Sequence, residues 1–578
     1  MSSYASKNIR PQYRQVVIVG AGVSGIAMAC MLRKRLGVED FVILDKEPAP
    51  AGTWSVNTYP NAGCDVPSPV YSFSFRQKTD WSSFFPKQAE LREYFLTVVA
   101  EYRLNDRMHL STTVREARFD KSTSLWHLWC EDVDGGELHH YVAPVFVSAV
   151  GGLSQPNECT IDGHETFEGP LFHSARWNHD ADLNNKNVIV VGNGCSATQF
   201  VPPVAEKAKS LTQFVRSKHW YAPVPKDPFT KLPGWRWLVR HFAFFRNLQR
   251  FLVWMVLESH FFITQLNPIG HVFRWWWARK CTANVKNNAP KEYWPMLLTT
   301  QKEMKVGCKR RVIDETYLPA LKRNNVHLES SKLVKIHPKH VETADGRKLP
   351  ADVIILATGF ATARNGFPMT IWDKEGREIH EHFERHGGGG PMSYRSTMLS
   401  GLPNFFTCVG TNSATGHMSL IFTSEAQISY IIELIKPIVQ APRPTDAQIK
   451  HLPGQAQLPT ARALPSVDVK LEAELQEQQW IQHAMAKLVF STGCGSWYVD
   501  KASGRVTAMY PDWQWRFLQR ATFPVWDDLI YTGLPRNASR PDTVPLWKRA
   551  GCWLGLGTVP RVSAQQAQKD TQALKKAA

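Results

Sequence analysis

The chain carries the same pattern of apolar, glycine and helix-forming positions twice. In the first copy an apolar run beginning at Val16 breaks into glycines and continues as a helix-like segment from Ile26 to Arg35. The second copy begins at Asn187 and passes through its own glycines to Ala197. Each copy predicts a buried strand, a tight turn and a helix whose positive N-terminus faces a phosphate. The pattern therefore predicts an α/β protein with two Rossmann-like, three-layer dinucleotide-binding domains.

The glycines of the first copy have separate roles. Gly20 permits the turn, Gly22 lets the backbone approach a pyrophosphate, and Gly25 lets the helix pack on the strand. A second apolar run at residues 41–44 ends in Asp45, where a carboxylate is placed to hydrogen-bond ribose hydroxyls. We predict a dinucleotide site here; the alternative is a glycine-rich turn with a capping acid.

The second copy differs at the position of that acid. The apolar run at residues 212–215 is followed by Arg216, Ser217 and Lys218 rather than by a carboxylate. Because a cation suits a 2′-phosphate, we predict NADPH rather than NADH; the alternative is that these cations are ordinary surface charges. The predicted binding residues are Gly192, Asn193, Gly194, Cys195, Ser196, Ala197, Arg216 and Ser217.

Two nucleotide folds in one chain predict a flavin in the first and a pyridine nucleotide in the second, with hydride passing between them. Residues 351–360 follow both patterns and form a predicted buried strand that ends in small residues. Small residues are needed where the chain crosses close to a bound cofactor. By itself this segment indicates only a buried strand.

Composition narrows the class of protein further. With 43% hydrophobic and 21% charged residues in 578, the chain is typical of a globular protein of several domains. A net charge of +17 suits phosphates, nucleic acid or an anionic membrane. The 10 cysteines form no C-x-x-C pair and no secretion leader follows Met1, so we expect reduced thiols, a cytoplasmic location and no metal site. A disulfide-relay flavoenzyme is thereby excluded.

The segment from Phe167 to Trp177 resembles the F-x-G-x-x-x-H-x-x-x-W fingerprint of the class B flavoprotein monooxygenases. The terminal Trp177 favours the Baeyer-Villiger branch over the heteroatom-oxidising one, and the likeness covers about residues 15–412. Asn178 departs from the usual Pro or Asp. Within the branch, the chain is similar to fungal-type, 4-hydroxyacetophenone monooxygenase-like members, which points to secondary metabolism. His173 and Trp177 are accordingly expected beside the cofactors.

The resemblance implies a reaction. Such an enzyme uses FAD, NADPH and O2, and inserts one oxygen atom into a lipophilic carbonyl compound through a C4a-peroxyflavin, giving an ester or lactone. Two alternatives remain: an N- or S-oxygenating flavin monooxygenase, and a flavin-binding, membrane-associated protein without turnover. The natural substrate and the oligomeric state are not indicated by the sequence.

Further motifs of the family assign the flavin side of the site. Ala51 and Asn61 replace glycines in segments that resemble the family's G-G-T-W and Y-P-G-A-x-C-D. The resemblance places Asp65 on the family's active-site aspartate; without it, Asp65 is a loop acid. The residues expected to contact the flavin are Gly52, Thr53, Trp54, Gly63, Cys64, Asp65, Val66 and Tyr71.

Residues 307–310 resemble the family's G-x-K-R. By resemblance Lys309 helps to hold the NADP 2′-phosphate, and Arg310 stabilises the negative charge that develops on oxygen, with Asp65 orienting it. The alternative is a solvated basic run. Residues 410–419 are similar to a block that closes over the flavin in a subset of the family, which makes Asn412 a cofactor-binding candidate.

Aromatic side chains and arginines crowd residues 220–294. One interpretation is a helical insertion that covers the pocket; the other is a basic, Trp-rich face that makes peripheral contact with a membrane. Both favour a lipophilic substrate, and we do not expect nucleic acid as a partner, because NADPH already accounts for some of the cations.

These elements give the expected domain organisation, with an NADPH domain inserted in an FAD domain. Residues 1–150 and 351–440 form the FAD domain, residues 151–224 and 301–350 form the NADPH domain, residues 225–300 form the helical insertion, and residues 441–578 form a C-terminal extension and pocket wall.

Overall fold

A computed structural model describes residues 4, 7, 9–361, 367–456, 463–534 and 545–577. In the first parallel sheet, one strand leads directly into the first glycine turn. The strands are β2 Val16–Val19, β3 Phe41–Leu44, β4 Met108–His109, β8 Val145–Ser148 and β20 Phe405–Thr407. They lie in the order β20-β8-β2-β3-β4, and all neighbours are parallel. Sequence-distant residues 405–407 thus complete a sheet that begins at residue 16.

Side chains of β2 alternate between two hydrophobic cores, because successive residues of a strand point to opposite faces. Val16 and Ile18 pack with helices α1 (Val23–Met31) and α12 (Leu420–Val439). Val17 and Val19 pack instead against a mixed sheet, whose three central strands are antiparallel and whose two edge strands pair in parallel. Its strands, in spatial order, are β1 Pro11–Tyr13, β7 Leu138–Ala143, β6 Leu125–Asp132, β5 Thr112–Asp120 and β19 Thr370–Trp372.

The second parallel sheet contains the second glycine turn, which leads into α4 (Cys195–Lys207). Its strands, in spatial order, are β14 Val326–Glu329, β11 Ser210–Phe214, β10 Asn187–Val191, β18 Val353–Leu356 and β9 Leu171–His173. The boundary expected at residue 351 would have assigned β18 to the FAD domain, but β18 pairs with β10 and β9. A fully apolar strand fits the centre of either sheet, so its sequence does not reveal which one it joins.

A helical insertion leaves the second domain and returns to it at neighbouring strands. Strand β12 (Tyr221–Pro223) pairs in parallel with β13 (Val312–Asp314). Between them lie α5 Trp235–His241, α6 Ala243–Ser259, α7 Phe261–Thr264, α8 Pro268–Asn288 and α9 Trp294–Leu297. Within the described ranges, no helix has both the length and the hydropathy of a membrane span.

The remaining elements complete the two domains and the C-terminal region. The strands are β15 Leu333–Ile336, β16 His340–Thr343, β17 Lys348–Pro350, β21 Ser466–Val469 and β22 Leu529–Thr532. The helices are α2 Thr53–Val56, α3 Gln88–Glu101, α10 Tyr317–Ala320, α11 Ile379–Gly387, α13 Asp446–Lys450, α14 Leu471–Met485, α15 Gln514–Thr522, α16 Leu546–Trp553 and α17 Ala564–Ala577.

One expectation about the cysteines is corrected. Cys308 and Cys494 form a disulfide with their Cα atoms 6.1 Å apart, although 186 residues separate them in sequence. The other eight cysteines are free. The prediction that all thiols are reduced is therefore wrong for this pair. It rested on the absence of C-x-x-C, a local signal that cannot detect a pair formed by folding.

Candidate active site

At the first glycine turn, no side chains cover the N-terminus of α1. Gly20 has φ +113°, and a Cβ on Gly25 would collide with the carbonyl oxygen of Gly20. A Cβ on Gly52 would lie 2.9 Å from the Cα of Gly22, so two chain segments meet without side chains between them. A pyrophosphate fits such a cradle, since the backbone amides of the first helical turn have no partners within the helix.

Asp45 stands at the end of β3 beside this cradle. Its carboxylate accepts hydrogen bonds from the backbone N–H groups of Ala21, at 2.6 Å, and Glu47, at 2.9 Å. Burial raises the pKa of the carboxyl group. The side chain therefore fixes the turn to the strand end, at the position where a ribose is expected.

Ala51 and Asn61, which replace glycines of the family motifs, both keep a backbone conformation typical of glycine. Ala51 has φ +83° and Asn61 has φ +65°, the left-handed backbone that glycine favours. Trp54 is buried and meets the edge of Tyr71 with ring centroids 5.6 Å apart. Cys64 and Val66 are also buried, whereas Thr53 is exposed and Gly63 is half-buried.

The second glycine turn repeats the geometry of the first. Gly192 has φ +114°, and a Cβ there would collide with the carbonyl oxygen of Ala357. Asn193 donates from its side-chain amide to the backbone oxygen of Ser217 at 2.7 Å, which joins the ends of two neighbouring strands. Gly194 caps α4 and a Cβ there would meet open space. The first turn of α4 is formed by Cys195, Ser196 and Ala197.

Two cations predicted from separate motifs face the same place. Arg216 follows β11 and is exposed, and Lys309 is half-buried near it. Burial and, secondarily, the charge of Arg216 lower the pKa of Lys309. Two neighbouring cations that share no carboxylate suit a phosphate dianion, because the anion would remove their mutual repulsion.

Asp65 and Arg310 meet across 245 residues of sequence. Arg310 donates from Nε to Asp65 Oδ2 at 2.7 Å and from a terminal nitrogen to Oδ1, a bidentate pair. Desolvation alone would raise the pKa of Asp65, but the charge and hydrogen bonds of Arg310 outweigh it and hold that pKa below its usual value. The charge of Asp65 in turn raises the pKa of Arg310 well above its ordinary value.

The guanidinium of Arg310 remains accessible, with its side chain 42% exposed. Tyr498, in the C-terminal region, is buried close by. Burial raises the pKa of Tyr498 to about 12, against the opposing charge of Arg310. Both the C-terminal region and the N-terminal domain therefore reach the same arginine.

Gln199 was not singled out from the sequence, yet it joins the two nucleotide turns. Its side chain accepts from the Tyr59 hydroxyl at 2.9 Å and the Gly63 backbone N–H at 3.3 Å, and donates to the Gly63 oxygen at 3.1 Å. Gln199 follows Cys195 by one helical turn, so it lies on the face of α4 that carries the predicted nucleotide site. That spacing is the signal that would have found it.

The fingerprint segment links the domains. Arg176 pairs with Glu47 at 2.6 Å, and Trp177 packs between Phe172 and Phe200, with ring centroids 5.3 Å away in each case. His173 is buried, which lowers its pKa, and its Nδ1 accepts the backbone N–H of Ala175 at 3.1 Å.

Asn412 has φ +54° and is fully buried. Its side-chain amide donates to the backbone oxygens of Val506, at 2.7 Å, and Met509, at 2.9 Å. The side chain therefore ties the loop at residues 410–419 to the late C-terminal segment.

A cavity of about 250 Å³ lies elsewhere, between the helical insertion and residues 68–84. Neither Asp65 nor Arg310 lines it. We do not assign the reacting carbonyl to this cavity, because the predicted catalytic residues do not line it.

Two glycine cradles for nucleotides in one chain, with a bidentate ion pair beside the second, are the arrangement of an oxidoreductase of the flavoprotein class. A family described as pyridine nucleotide-disulphide oxidoreductase matches residues 17–236. The chain is 32% identical over 511 residues to a Baeyer-Villiger monooxygenase of Pseudomonas aeruginosa, covering 87% of this chain and 88% of that protein. It is 29% identical to the FAD-binding monooxygenase ktnD of Aspergillus niger, covering 90% and 82%.

The fold is similar to that of a steroid monooxygenase bound to NADP, with a TM-score of 0.71, 22% identity, and coverage of 90% of this chain and 99% of that one. The chain belongs to the Baeyer-Villiger monooxygenase family. It is therefore a monooxygenase, which confirms the predicted α/β fold and enzyme class.

Proposed function

We propose that the enzyme converts a lipophilic ketone to an ester or lactone. One atom of O2 enters the carbonyl compound, the other leaves as water, and NADPH supplies the two electrons. The observation that carries this proposal is the ion pair of Arg310 with Asp65, which fixes a permanently charged guanidinium near Cys195 at the start of α4.

The residues of the first cradle fit FAD. Gly20, Gly22 and Gly25 leave the N-terminus of α1 open to the pyrophosphate, and Asp45 lies where the ribose would be bound. When bound and reduced, FAD supplies activated oxygen. The other residues that we assign to the flavin are Gly52, Thr53, Trp54, Gly63, Cys64, Asp65, Val66, Tyr71 and Asn412.

The second cradle fits NADPH. We assign the 2′-phosphate to Arg216, Ser217 and Lys309, because the two cations face each other and the burial of Lys309 disfavours its charged form until an anion arrives. His173 and Trp177 bound this site. The remaining residues assigned to the nucleotide are Gly192, Asn193, Gly194, Cys195, Ser196 and Ala197.

Arg310 is proposed as the catalytic residue and Asp65 as its positioning residue. A carbonyl oxygen gains negative charge when its carbon is attacked, and a fixed guanidinium stabilises that charge without reorganising. The bidentate contact with Asp65 aims the planar group, while the exposed part of Arg310 stays free to contact substrate.

A lipophilic substrate is supported by the aromatic insertion and by the fold neighbour named as a steroid monooxygenase. We further propose a cytoplasmic enzyme that makes peripheral contact with a membrane, and the exposed aromatic side chains of the insertion support that contact.

The test is product analysis with a panel of lipophilic ketones, amines and sulfides, combined with anaerobic mixing with NADPH. We expect the flavin to bleach and ketones to give esters. The variant Arg310→Ala should still bleach but form no ester. Oxidation of amines or sulfides alone would contradict the proposal, and absence of bleaching would favour a protein without turnover.

A further inference from the structure

Exposed apolar side chains concentrate on the helical insertion. Half of the large apolar side chains that are exposed among the described residues lie between Trp237 and Trp276. On α6 they recur at helical spacing and form one stripe, which we call the α6 stripe: Phe244, Phe251, Leu252, Met255 and Val256, with exposed fractions of 70, 54, 41, 49 and 61%. A helix of a globular protein normally turns such a stripe towards the core.

The other side of α6 holds it to the protein by polar contacts. Arg250 donates to the backbone oxygens of Pro69 and Ser72, both at 2.9 Å. Glu258 is buried and pairs with His417 at 3.1 Å. The orientation of α6 is therefore fixed, with its charged residues towards the FAD domain and its apolar stripe towards solvent.

The helical insertion that carries the stripe is strongly basic. Residues 231–290 contain nine Lys and Arg but a single acid, Glu258, which is buried. On α8, Arg279 lies 5.1 Å from the ring centre of the exposed Trp275, and Lys280 lies 3.6 Å from that of the exposed Trp276. Tryptophan beside a cation is the pairing favoured at the boundary between lipid headgroups and acyl chains.

We infer that the α6 stripe and the Trp-rich middle of α8 dock the enzyme onto an anionic lipid bilayer. Apolar side chains would enter the headgroup boundary while the surrounding cations meet lipid phosphates. A second copy of the chain fits this face poorly, because residues 231–290 of each copy carry nine Lys and Arg and no exposed acid, so two insertions would repel each other. The docking itself is independent of the oxidation chemistry; only its purpose, access to a membrane-dissolved substrate, rests on the proposed function.

The test is flotation of the FAD-loaded enzyme with vesicles of phosphatidylcholine, alone or mixed in equal parts with phosphatidylglycerol. We expect binding to the mixed vesicles that weakens as salt is added. The variant Arg279→Gln/Lys280→Gln should lose roughly fivefold in partitioning for each cation removed. The variant Phe251→Ser/Val256→Ser should lose roughly tenfold or more.

The matched control is Val133→Ser/Leu153→Ser, which removes two apolar side chains of similar exposure, 51 and 43%, outside the insertion. It should bind vesicles like the unmodified enzyme. In every variant, bound FAD and NADPH oxidation report whether the enzyme is folded. Vesicle binding is measured separately, so a failure of the proposed function is distinguished from a failure of docking. The inference is overturned if the unmodified enzyme does not float, if the α6 variant floats normally, or if that variant instead dissociates an oligomer in sedimentation.

Discussion

Replacing Asp65 by Asn separates the positioning of Arg310 from its charge. The amide keeps the shape of the side chain but loses the negative charge and one of the two acceptor oxygens that Arg310 uses. Two charge-assisted hydrogen bonds would contribute roughly 3–6 kcal/mol if fully buried. Because the side chains are 42% and 24% exposed, solvent screening reduces the value for the pair to about 1–2 kcal/mol. If the transition state loses that much stabilisation, oxygenation should be roughly 5- to 30-fold slower.

The assay measures two steps of Asp65→Asn separately. Anaerobic stopped-flow mixing with NADPH gives the rate of flavin bleaching, and the ester formed per NADPH consumed gives the efficiency of oxygen transfer. We expect bleaching to change little while ester yield falls, and Asp134→Asn on an exposed hairpin serves as the control. An equal loss in both steps would refute the reasoning, since the pair would then act on hydride transfer.

Because the pKa of Asp65 is held below its usual value, the ion pair should persist above about pH 4 and be lost only on further acidification.

Three further predictions concern the nucleotide sites and stability. Lys309→Ala/Arg216→Ala should raise the KM for NADPH roughly 10- to 100-fold and leave that for NADH nearly unchanged; equal changes would contradict the assignment of the 2′-phosphate. Gln199→Ala should slow anaerobic bleaching roughly tenfold without loss of FAD, because its bonds to Gly63 join the two cradles; an unchanged rate would exclude that role. Burial lowers the pKa of His140 to about 4, so the unfolded chain binds more protons below pH 6.5 and stability falls on acidification, by about 1.4 kcal/mol at about pH 5.5. Denaturant titration should show a flatter pH dependence for His140→Gln.

Local signals in the sequence were sufficient for the two turns. Gly20 and Gly192 each follow an apolar strand directly, and both adopt the positive φ that the pattern implies. Apolar runs also predicted the strands that flank them. These inferences succeed because turn chemistry and strand burial depend on residues within a short stretch of chain.

Contacts between distant segments of the chain could not be predicted from such local signals. The meeting of Asp65 with Arg310 was expected only through the family resemblance, since nothing in either local sequence names the other. The disulfide of Cys308 with Cys494 was missed for the same reason. The sheet that takes β18 is likewise decided by packing of the whole domain rather than by its own apolar residues.

The four residues from Cys308 to Arg311 show why such contacts matter for function. Each contacts a different part of the molecule: Cys308 bonds to Cys494, Lys309 faces Arg216, Arg310 pairs with Asp65, and Arg311 lies 4.7 Å from the ring centre of Trp277 on α8. Because consecutive residues share one backbone, a phosphate that fixes Lys309 also restricts Arg310. A displacement of the helical insertion would move the same backbone through the contact of Arg311 with Trp277. This short segment therefore places the residues proposed for nucleotide recognition, for contact with the insertion and for charge stabilisation on one stretch of backbone.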